Sequence, residues 1–237
     1  MPDYTYDLHI HSCLSPCGDE QMTPPNIANM AYIKGLQIIA VTDHNSCRNV
    51  RAVTEAAAGL PITVIPGMEL CTAEEIHMVC LFPTVEAAEA AGAAAEAALP
   101  PITNRPEIFG NQEIRDSEEI LIGTVDKLLI NATSISIDDA STFVARYGGI
   151  CYPAHIDKAA NSILATFGYL PDHLGFTAVE VARPVAFFAT KQGMEIQQKY
   201  CIITDSDAHQ LENISEAERT LTLNTPDFAG LKNFILR

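Results

Sequence analysis

Basic side chains are scarce in this sequence. Its 237 residues include 14 lysines and arginines against 30 aspartates and glutamates, which gives a formal net charge of −16 at pH 7. A polyanion would be repelled by such a chain unless the few cations formed a local basic groove, and they form no stripe along the sequence. We therefore do not expect an extended nucleic acid as a partner.

Long apolar segments and processing signals are also missing. No apolar run approaches the ~20 residues that a helix needs to cross a bilayer, and the N-terminus has no basic stretch followed by an apolar one. The seven cysteines are an odd number, scattered through a chain too large to depend on disulfides. These absences predict a cytoplasmic protein with reduced thiols and no membrane partner; they leave the oligomeric state open.

Short apolar segments rich in Val or Ile alternate with helical segments nearly from end to end. The pattern predicts strands at residues 4–9, 37–42, 62–66, 77–82, 149–153, 178–181, 201–204 and 220–223, and helices at 24–34, 52–58, 84–98, 137–147, 186–199 and 226–236. Thr23 and Gly35 are start and stop signals for the first helix. We expect a single α/β barrel domain over residues 1–237, with βα units around a parallel sheet.

Residues 100–133 break this alternation. The segment contains several prolines and glycines and a charged middle, residues 115–119. We interpret it as an inserted irregular loop with a hairpin. Loops of this length in compact domains are often lids or binding elements, and a surface decoration is the alternative.

Six of the seven histidines lie at or beside the end of a predicted strand. They are His9, His11, His44, His77, His155 and His209, and the carboxylates that accompany them are Asp43, Glu69, Asp205 and Asp207. In a barrel the strand ends converge on one face, so these remote residues are expected to meet there. Mixed imidazole and carboxylate sites suit Zn, Mn or Fe. The seventh, His173, lies in a turn and is interpreted as an exposed residue.

The spacing of His9 and His11 supports this interpretation. Side chains two residues apart on a strand share a face, so both imidazoles can reach one ion. Asp207 and His209 repeat the arrangement. Either pair alone is a weak signal, but together with the other histidines they indicate a site for divalent metal ions.

Several of these segments resemble the PHP family, the polymerase and histidinol phosphatase superfamily. They are DLHIHS at 7–12, AVTDHN at 40–45, IPGMEL at 65–70, His77, PAH at 153–155 and DSDAH at 205–209. The resemblance runs from one end of the chain to the other, in the family's order. It implies a distorted (β/α)7 barrel similar to a TIM barrel, with three metal ions and hydrolysis of phosphate esters.

The resemblance divides the ligands among three ions. The first would be held by His9, His11, Glu69 and Asp207, the second by Glu69, His77 and His155, and the third by His44, His209 and one ligand from the loop after Ser12.

The chain departs from the family pattern in that loop. Many members have Asp or His five to seven residues beyond the second histidine, where this chain has Pro16, Cys17 and Gly18. We expect Asp19 as the ligand because a hard carboxylate matches the rest of the site. Cys17 is the alternative, and its thiolate would favour zinc. We interpret Asp43 as the acceptor of a ring N–H from a ligand histidine.

The implied activity is hydrolysis of a small phosphate monoester or nucleotide, with two or three divalent ions (Mn, Fe or Zn) that activate water. Lys158 and Arg183 lie at the same strand ends and are expected to bind phosphoryl oxygens. The residues expected to act directly in catalysis are His9, His11, Glu69, Asp207 and His209.

Two alternatives remain open at this point. One is a hydrolase of C–N bonds, since related barrels also have histidine-rich sites; such enzymes often use a carboxylated lysine where this chain has Glu69. The other is a non-catalytic metal-binding accessory domain, similar to PHP modules attached to DNA polymerases. The nearly complete ligand set argues against the second.

Overall fold

The computed structural model describes residues 1–236, which fold into ten strands and nine helices. The strands are β1 (Asp3–Ile10), β2 (Ile38–Val41), β3 (Thr63–Cys71), β4 (His77–Leu81), β5 (Glu113–Arg115), β6 (Leu121–Thr124), β7 (Ile150–Pro153), β8 (Ala178–Glu180), β9 (Cys201–Ile203) and β10 (Thr220–Thr222). The helices are α1 (Pro24–Ile33), α2 (Val50–Ala56), α3 (Val85–Ala98), α4 (Pro106–Phe109), α5 (Ile137–Ala145), α6 (Ile163–Phe167), α7 (Pro184–Phe187), α8 (Lys191–Lys199) and α9 (Phe228–Ile235).

Six strands form one mixed sheet in the order β10-β1-β2-β3-β4-β7. Strands β1, β2 and β3 are parallel, whereas β4 runs antiparallel to both β3 and β7. The sequence-based expectation of a parallel sheet is therefore only partly met. The reason is the link between β3 and β4: residues 72–76 are too few for the crossover of about a dozen residues that a parallel pair requires.

The parallel pair β8-β9 lies between the two ends of the curled sheet. On one side the amide of Ile156 donates to the carbonyl of Glu180 at 2.9 Å, and on the other Ile10 forms a parallel bridge with Ala208. These are single contacts between two separate ladders. The mixed α/β class is confirmed, but a full (β/α)7 barrel is not.

The inner face of the curled sheet is closed by one apolar cluster to which nearly every strand contributes. Its members include Leu8, Ile38, Ile65, Leu81, Tyr152, Ala178, Ile203 and Leu221. Helices cover the outer face, as expected for strands such as β2 in which all four residues are buried. The outer cluster under α1 and α2 joins Ile27 and Val53 to Ile39.

The predicted helices are largely present, with two informative differences. The predicted helix 186–199 is split, because Thr190 adopts extended backbone and its hydroxyl accepts from the amide of Gly193 at 3.0 Å to cap α8. Thr23 occupies the N-cap of α1, but its hydroxyl donates to Glu119 at 2.7 Å instead of capping. The first helix is thereby attached to the inserted segment.

The inserted segment 100–133 contains the expected hairpin, formed by β5 and β6, together with the short helix α4. A small apolar cluster of Leu14, Leu99, Val125 and Leu129 holds its base against the domain. Within residues 1–236, none of the helices combines the length and the apolar character that crossing a bilayer requires.

Buried side chains of β2 should contribute more to the free energy of unfolding than exposed side chains of the β5-β6 hairpin. Replacing fully buried Ile39 by Ala should lower the free energy of unfolding by about 2–5 kcal/mol, because it leaves a cavity between sheet and helices. The matched change Ile122→Ala, at a side chain that is 63% exposed, should cost less than about 1 kcal/mol. Urea denaturation of both variants measures the difference, and equal losses would contradict the assigned core.

Candidate metal centre

Side chains at the ends of four strands, β1, β3, β4 and β7, meet at one edge of the sheet. β1 ends with His9 close to its terminus, and Glu69 lies near the end of the parallel strand β3. His77 begins β4, yet it reaches the same edge because β4 is antiparallel and His77 pairs with Cys71. His155 follows the end of β7 and completes this part of the site.

The remaining histidines reach the site from segments that follow strands. His44 comes after β2 and forms a parallel bridge with Glu69. The amide of His11 donates to the carbonyl of Ala208 at 2.9 Å, so the segment with Asp207 and His209 lies beside the end of β1. A bulge places an extra residue in β1 between Asp7 and Ile10, and it re-aims the side chains around His9.

The carboxylate of Glu69 is the centre of this cluster. Glu69 is buried, and one ring nitrogen from each of five histidines lies within 3.5 Å of its oxygens. The distances are 2.9 Å for His44 Nδ1, 2.9 Å for His77 Nδ1, 3.0 Å for His155 Nε2, 3.3 Å for His9 Nε2 and 3.5 Å for His11 Nε2.

These ring nitrogens and carboxylate oxygens are better placed to bind divalent cations than to hydrogen-bond with one another. His44 Nδ1 lies 2.9 Å from Glu69 but makes no hydrogen bond, and the Nε2 atoms of His9 and His11 are 3.2 Å apart. In the neutral form that binds metal, with Nδ1 carrying the proton, each Nε2 presents a lone pair that repels the other, whereas a cation between them satisfies both. Three groups of donors could each hold an ion: His9, His11 and Glu69; His44, Glu69 and His77; and His11, Cys17, His44 and His209.

The charges of the cluster are strongly coupled. Burial alone would raise the pKa of Glu69, but the imidazoles of His77 and His9 hold it well below its usual value. Burial likewise opposes charge on His9, whose pKa nevertheless lies well above normal because of the carboxylates of Glu180 and Glu69. The same balance keeps the pKa of Asp207 low despite its burial, chiefly through His9. The carboxylates therefore stay ionised and available to cations.

A second layer of polar groups orients the histidines. Glu180, at the end of β8, accepts from His9 Nδ1 at 2.8 Å, and both side chains are buried. Asn161 lies 3.1 Å from His77 Nε2. Sequence reasoning missed both residues, although a glutamate inside the apolar segment 178–181 was a usable signal.

Asp43 acts on a ligand histidine through a serine, and not through the direct hydrogen bond that we expected. It does not contact an imidazole directly; the Ser15 hydroxyl donates to Asp43 at 2.6 Å, and the same hydroxyl lies 2.9 Å from His11 Nδ1. Asp43 also accepts from the amide and hydroxyl of Ser12. The carboxylate thus holds the loop that positions His11.

The structure does not bring Asp19 to the cluster. Its carboxylate accepts from the amide of Gln21 at 2.8 Å in a local turn, and the residue is exposed. Cys17 takes the predicted place instead, with Sγ 3.3 Å from His44 Nε2. Two tight turns between Ser12 and Gly18 cause the difference, because they direct residue 17 inward and residue 19 outward.

Two metal-site residues have unusual backbone conformations. His155 and Asp207 have φ values of 28° and 52°, in the left-handed region that non-glycine residues rarely adopt. Such strain persists where the surrounding structure enforces it and is concentrated at functional sites.

The cluster forms one wall of an open cavity of about 470 Å³. Lys158 and Arg183, the two cationic residues predicted to bind phosphate, also line it. The Lys158 ammonium pairs with Asp207, and the Arg183 side chain is 70% exposed. His173 lies elsewhere on the surface, paired with Asp138 at 3.0 Å, as expected for an exposed turn residue.

On this mixed α/β fold, histidines and carboxylates cluster at one edge of the sheet and open to a cavity. This arrangement is the type of site found in metal-dependent hydrolases. The PHP domain family model matches residues 7–151, which is more than half of the chain. The chain therefore belongs to the PHP family, and the resemblance inferred from its motifs is confirmed.

Individual relatives agree with this assignment. A 5'-3' exoribonuclease of Haemophilus influenzae is 34% identical over 79 residues, which cover 32% of this chain and 28% of that protein. The lesion-specific endonuclease Q of Pyrococcus furiosus has the same fold at 16% identity, with a TM-score of 0.69 over 99% of this chain and 56% of that one. A protein of Bifidobacterium adolescentis, described as a candidate metal-dependent phosphoesterase, has a TM-score of 0.61 at 18% identity, over 98% of this chain and 96% of its own.

These relatives correct one expectation. The prediction of a small phosphorylated substrate, with no extended nucleic acid as partner, is wrong, because the relatives include an exoribonuclease and an endonuclease. Net charge was a poor guide because it sums the whole surface. The cavity itself combines two cationic side chains with the donors for divalent ions.

Removing the charge of Glu180 should weaken metal binding without unfolding the protein. Glu180→Gln keeps the size of the side chain but no longer enforces the tautomer of His9, and loss of such a partner typically costs about 10–100-fold in affinity. Titration of the metal-free protein with Mn²⁺ or Zn²⁺ measures the change. Glu195→Gln, at an exposed position of α8, is the matched control, and equal affinities in the two variants would refute this role.

Proposed function

We propose that this chain is a metal-dependent phosphoesterase that hydrolyses phosphodiester bonds in nucleic acid. The observation that carries the proposal is the convergence of five histidines on buried Glu69 beside an open cavity lined by Lys158 and Arg183. Membership of the PHP family and the nucleic-acid enzymes among its relatives support the same reaction class.

The size and charge of the cavity favour recognition of a short part of a strand. A volume of about 470 Å³ is in the range of small-ligand sites and suits one nucleotide at a time. Lys158 and Arg183, the two cations that line the cavity, would face the phosphates of that nucleotide. We therefore propose that one nucleotide of a nucleic-acid strand occupies the cavity at a time.

The donors that would hold cations are the two groups that share Glu69 and the group of His11, Cys17, His44 and His209. Asp207 lies beside His9 and His11, at 3.5 and 3.2 Å. We propose two or three divalent ions per chain. The chemistry that such ions supply when bound is neutralisation of phosphate charge and a water acidic enough to act as a nucleophile near neutral pH.

The chain's own residues would prepare the reaction by binding and orientation. The Lys158 ammonium, now on Asp207, is within the cavity and can donate to a non-bridging phosphate oxygen. Arg183 offers two parallel donors to the same group. Glu180 holds His9 in one tautomer and one ring orientation.

Metal removal should abolish the activity. After complete stripping with a chelator, the protein should leave 5'-labelled single-stranded RNA and DNA oligonucleotides intact, and Mn²⁺ should restore cleavage seen on a denaturing gel. His9→Ala and Asp207→Ala should lower the rate at least ~100-fold, because each removes a donor that the cluster shares. Both should keep the wild-type circular dichroism spectrum.

His173→Ala is the matched control for these histidine changes, since His173 is exposed and remote from the cavity. It should cleave at the wild-type rate. Cleavage that survives chelation, or oligonucleotides left intact with Mn²⁺, Fe²⁺ and Zn²⁺ alike, would refute the proposed function.

The cavity cations should act on substrate binding. Lys158→Ala and Arg183→Ala should each raise KM by about tenfold or more at saturating metal, as expected from losing a charged hydrogen bond. Steady-state kinetics on a short oligonucleotide measure this effect, with Lys191→Ala, on an 89% exposed side chain of α8, as control. An unchanged KM in both cavity variants would exclude phosphate binding by these residues.

A further inference from the structure

We propose that Cys17 is a thiolate ligand at one ion position, together with His44 and His209, so that this position selects zinc and loses it when the thiol is oxidised. The proposal rests on the proposed function for its biological meaning, because it describes regulation of the same site. Its geometry stands independently, on the placement of four donor atoms.

The donors of this position form a compact set. Ligand atoms of His11, Cys17, His44 and His209 all lie within 4.8 Å of one another, close enough for the four to converge on one ion, and four donors from Cys and His are the usual number for zinc. Cys17 and His209 belong to this group alone, whereas His11 and His44 are shared with the groups around Glu69. The sulfur therefore makes this donor group chemically different from the other two groups, which contain only imidazoles and a carboxylate.

The loop that carries the sulfur is built to hold it there. Ser15 N donates to the Ser12 carbonyl and Gly18 N donates to the Ser15 carbonyl, which makes two successive turns, the second of which contains Cys17. A Cβ at Gly18 would lie 2.2 Å from the Ser12 carbonyl oxygen, so the turn requires glycine. Asp19 N then donates to the carbonyl of His209 at 2.9 Å, which fastens the loop to the segment that provides the other ligand.

Cys17 also differs from the other cysteines in accessibility. It is exposed, whereas Cys13, Cys47, Cys71 and Cys80 are buried and the remaining two are intermediate. Burial raises the pKa of the Cys71 thiol to about 12, which leaves it unreactive. An oxidant in solution therefore reaches the sulfur of Cys17 more readily than the sulfurs of the buried cysteines.

A thiolate among imidazoles changes both selectivity and redox chemistry. Soft sulfur ligands favour zinc over Mn²⁺, which prefers oxygen donors. A peroxide can oxidise the sulfur by two electrons: sulfur attacks one peroxide oxygen, the O–O bond breaks, and hydroxide leaves while a sulfenic acid forms. Sulfenic sulfur is a poor ligand, and two equivalents of an external thiol reduce it, giving a disulfide and water.

The metal-binding experiment compares wild type with Cys17→Asp and Cys17→Ala, and uses Cys151→Ser as a thiol control at an intermediate position outside the site. Replacing zinc by cobalt should give wild type a near-ultraviolet sulfur-to-cobalt absorption band. The band should be absent from both Cys17 variants and present in Cys151→Ser. Cys17→Ala should retain about one zinc fewer per chain than wild type after dialysis.

The redox experiment treats the zinc-loaded proteins with hydrogen peroxide in the presence of a chromophoric zinc chelator. Wild type and Cys151→Ser should release about one zinc per chain, and dithiothreitol should restore binding. Cys17→Asp, which keeps a ligand but no sulfur, should release none. Zinc release from Cys17→Asp at the wild-type rate, or a cobalt spectrum without a sulfur band, would overturn the proposal. Neither measurement involves substrate, so failure of the proposed function would leave them unchanged.

Discussion

The site depends on one buried carboxylate with more imidazole neighbours than it can satisfy. Glu69 lies within 3.5 Å of ring nitrogens from five histidines, and these come from four separate segments of the chain. Hydrogen bonding within such a group leaves lone pairs facing each other. Divalent cations remove that conflict, so folding and metal binding act on the same set of contacts.

The surrounding shell explains why this arrangement is held in place. Glu180, at the end of β8, orients His9, and Asp43 holds the loop of His11 through Ser15. Left-handed backbone at His155 and Asp207 adds local strain that only a well-packed scaffold can enforce. The apolar cluster inside the curled sheet provides that scaffold directly beneath the site.

The charged side chains of this acidic protein are unevenly distributed. The negative charge is spread over the whole surface, while Lys158 and Arg183 meet the metal-site donors at a single cavity. Cys17 lines the same cavity and is exposed to solvent there.

The sequence by itself predicted most of the strands, most of the helices and a set of candidate donor residues. Regular spacing of apolar runs predicted these elements, and two-residue spacing placed His9 and His11 on one face. The family was also recognisable, because its motifs are local strings of residues. Each of these properties is encoded within a few neighbouring positions.

Only the tertiary structure decided which candidates meet. The turns around Gly18 direct Cys17 inward and Asp19 outward, a choice that the ligand types alone ranked the other way. The antiparallel course of β4 brings His77 to the common edge from the start of a strand. The role of Glu180 follows from its contact with His9, 171 residues away in the chain. Such contacts depend on chain direction and turn geometry, which no local pattern of residue types specifies.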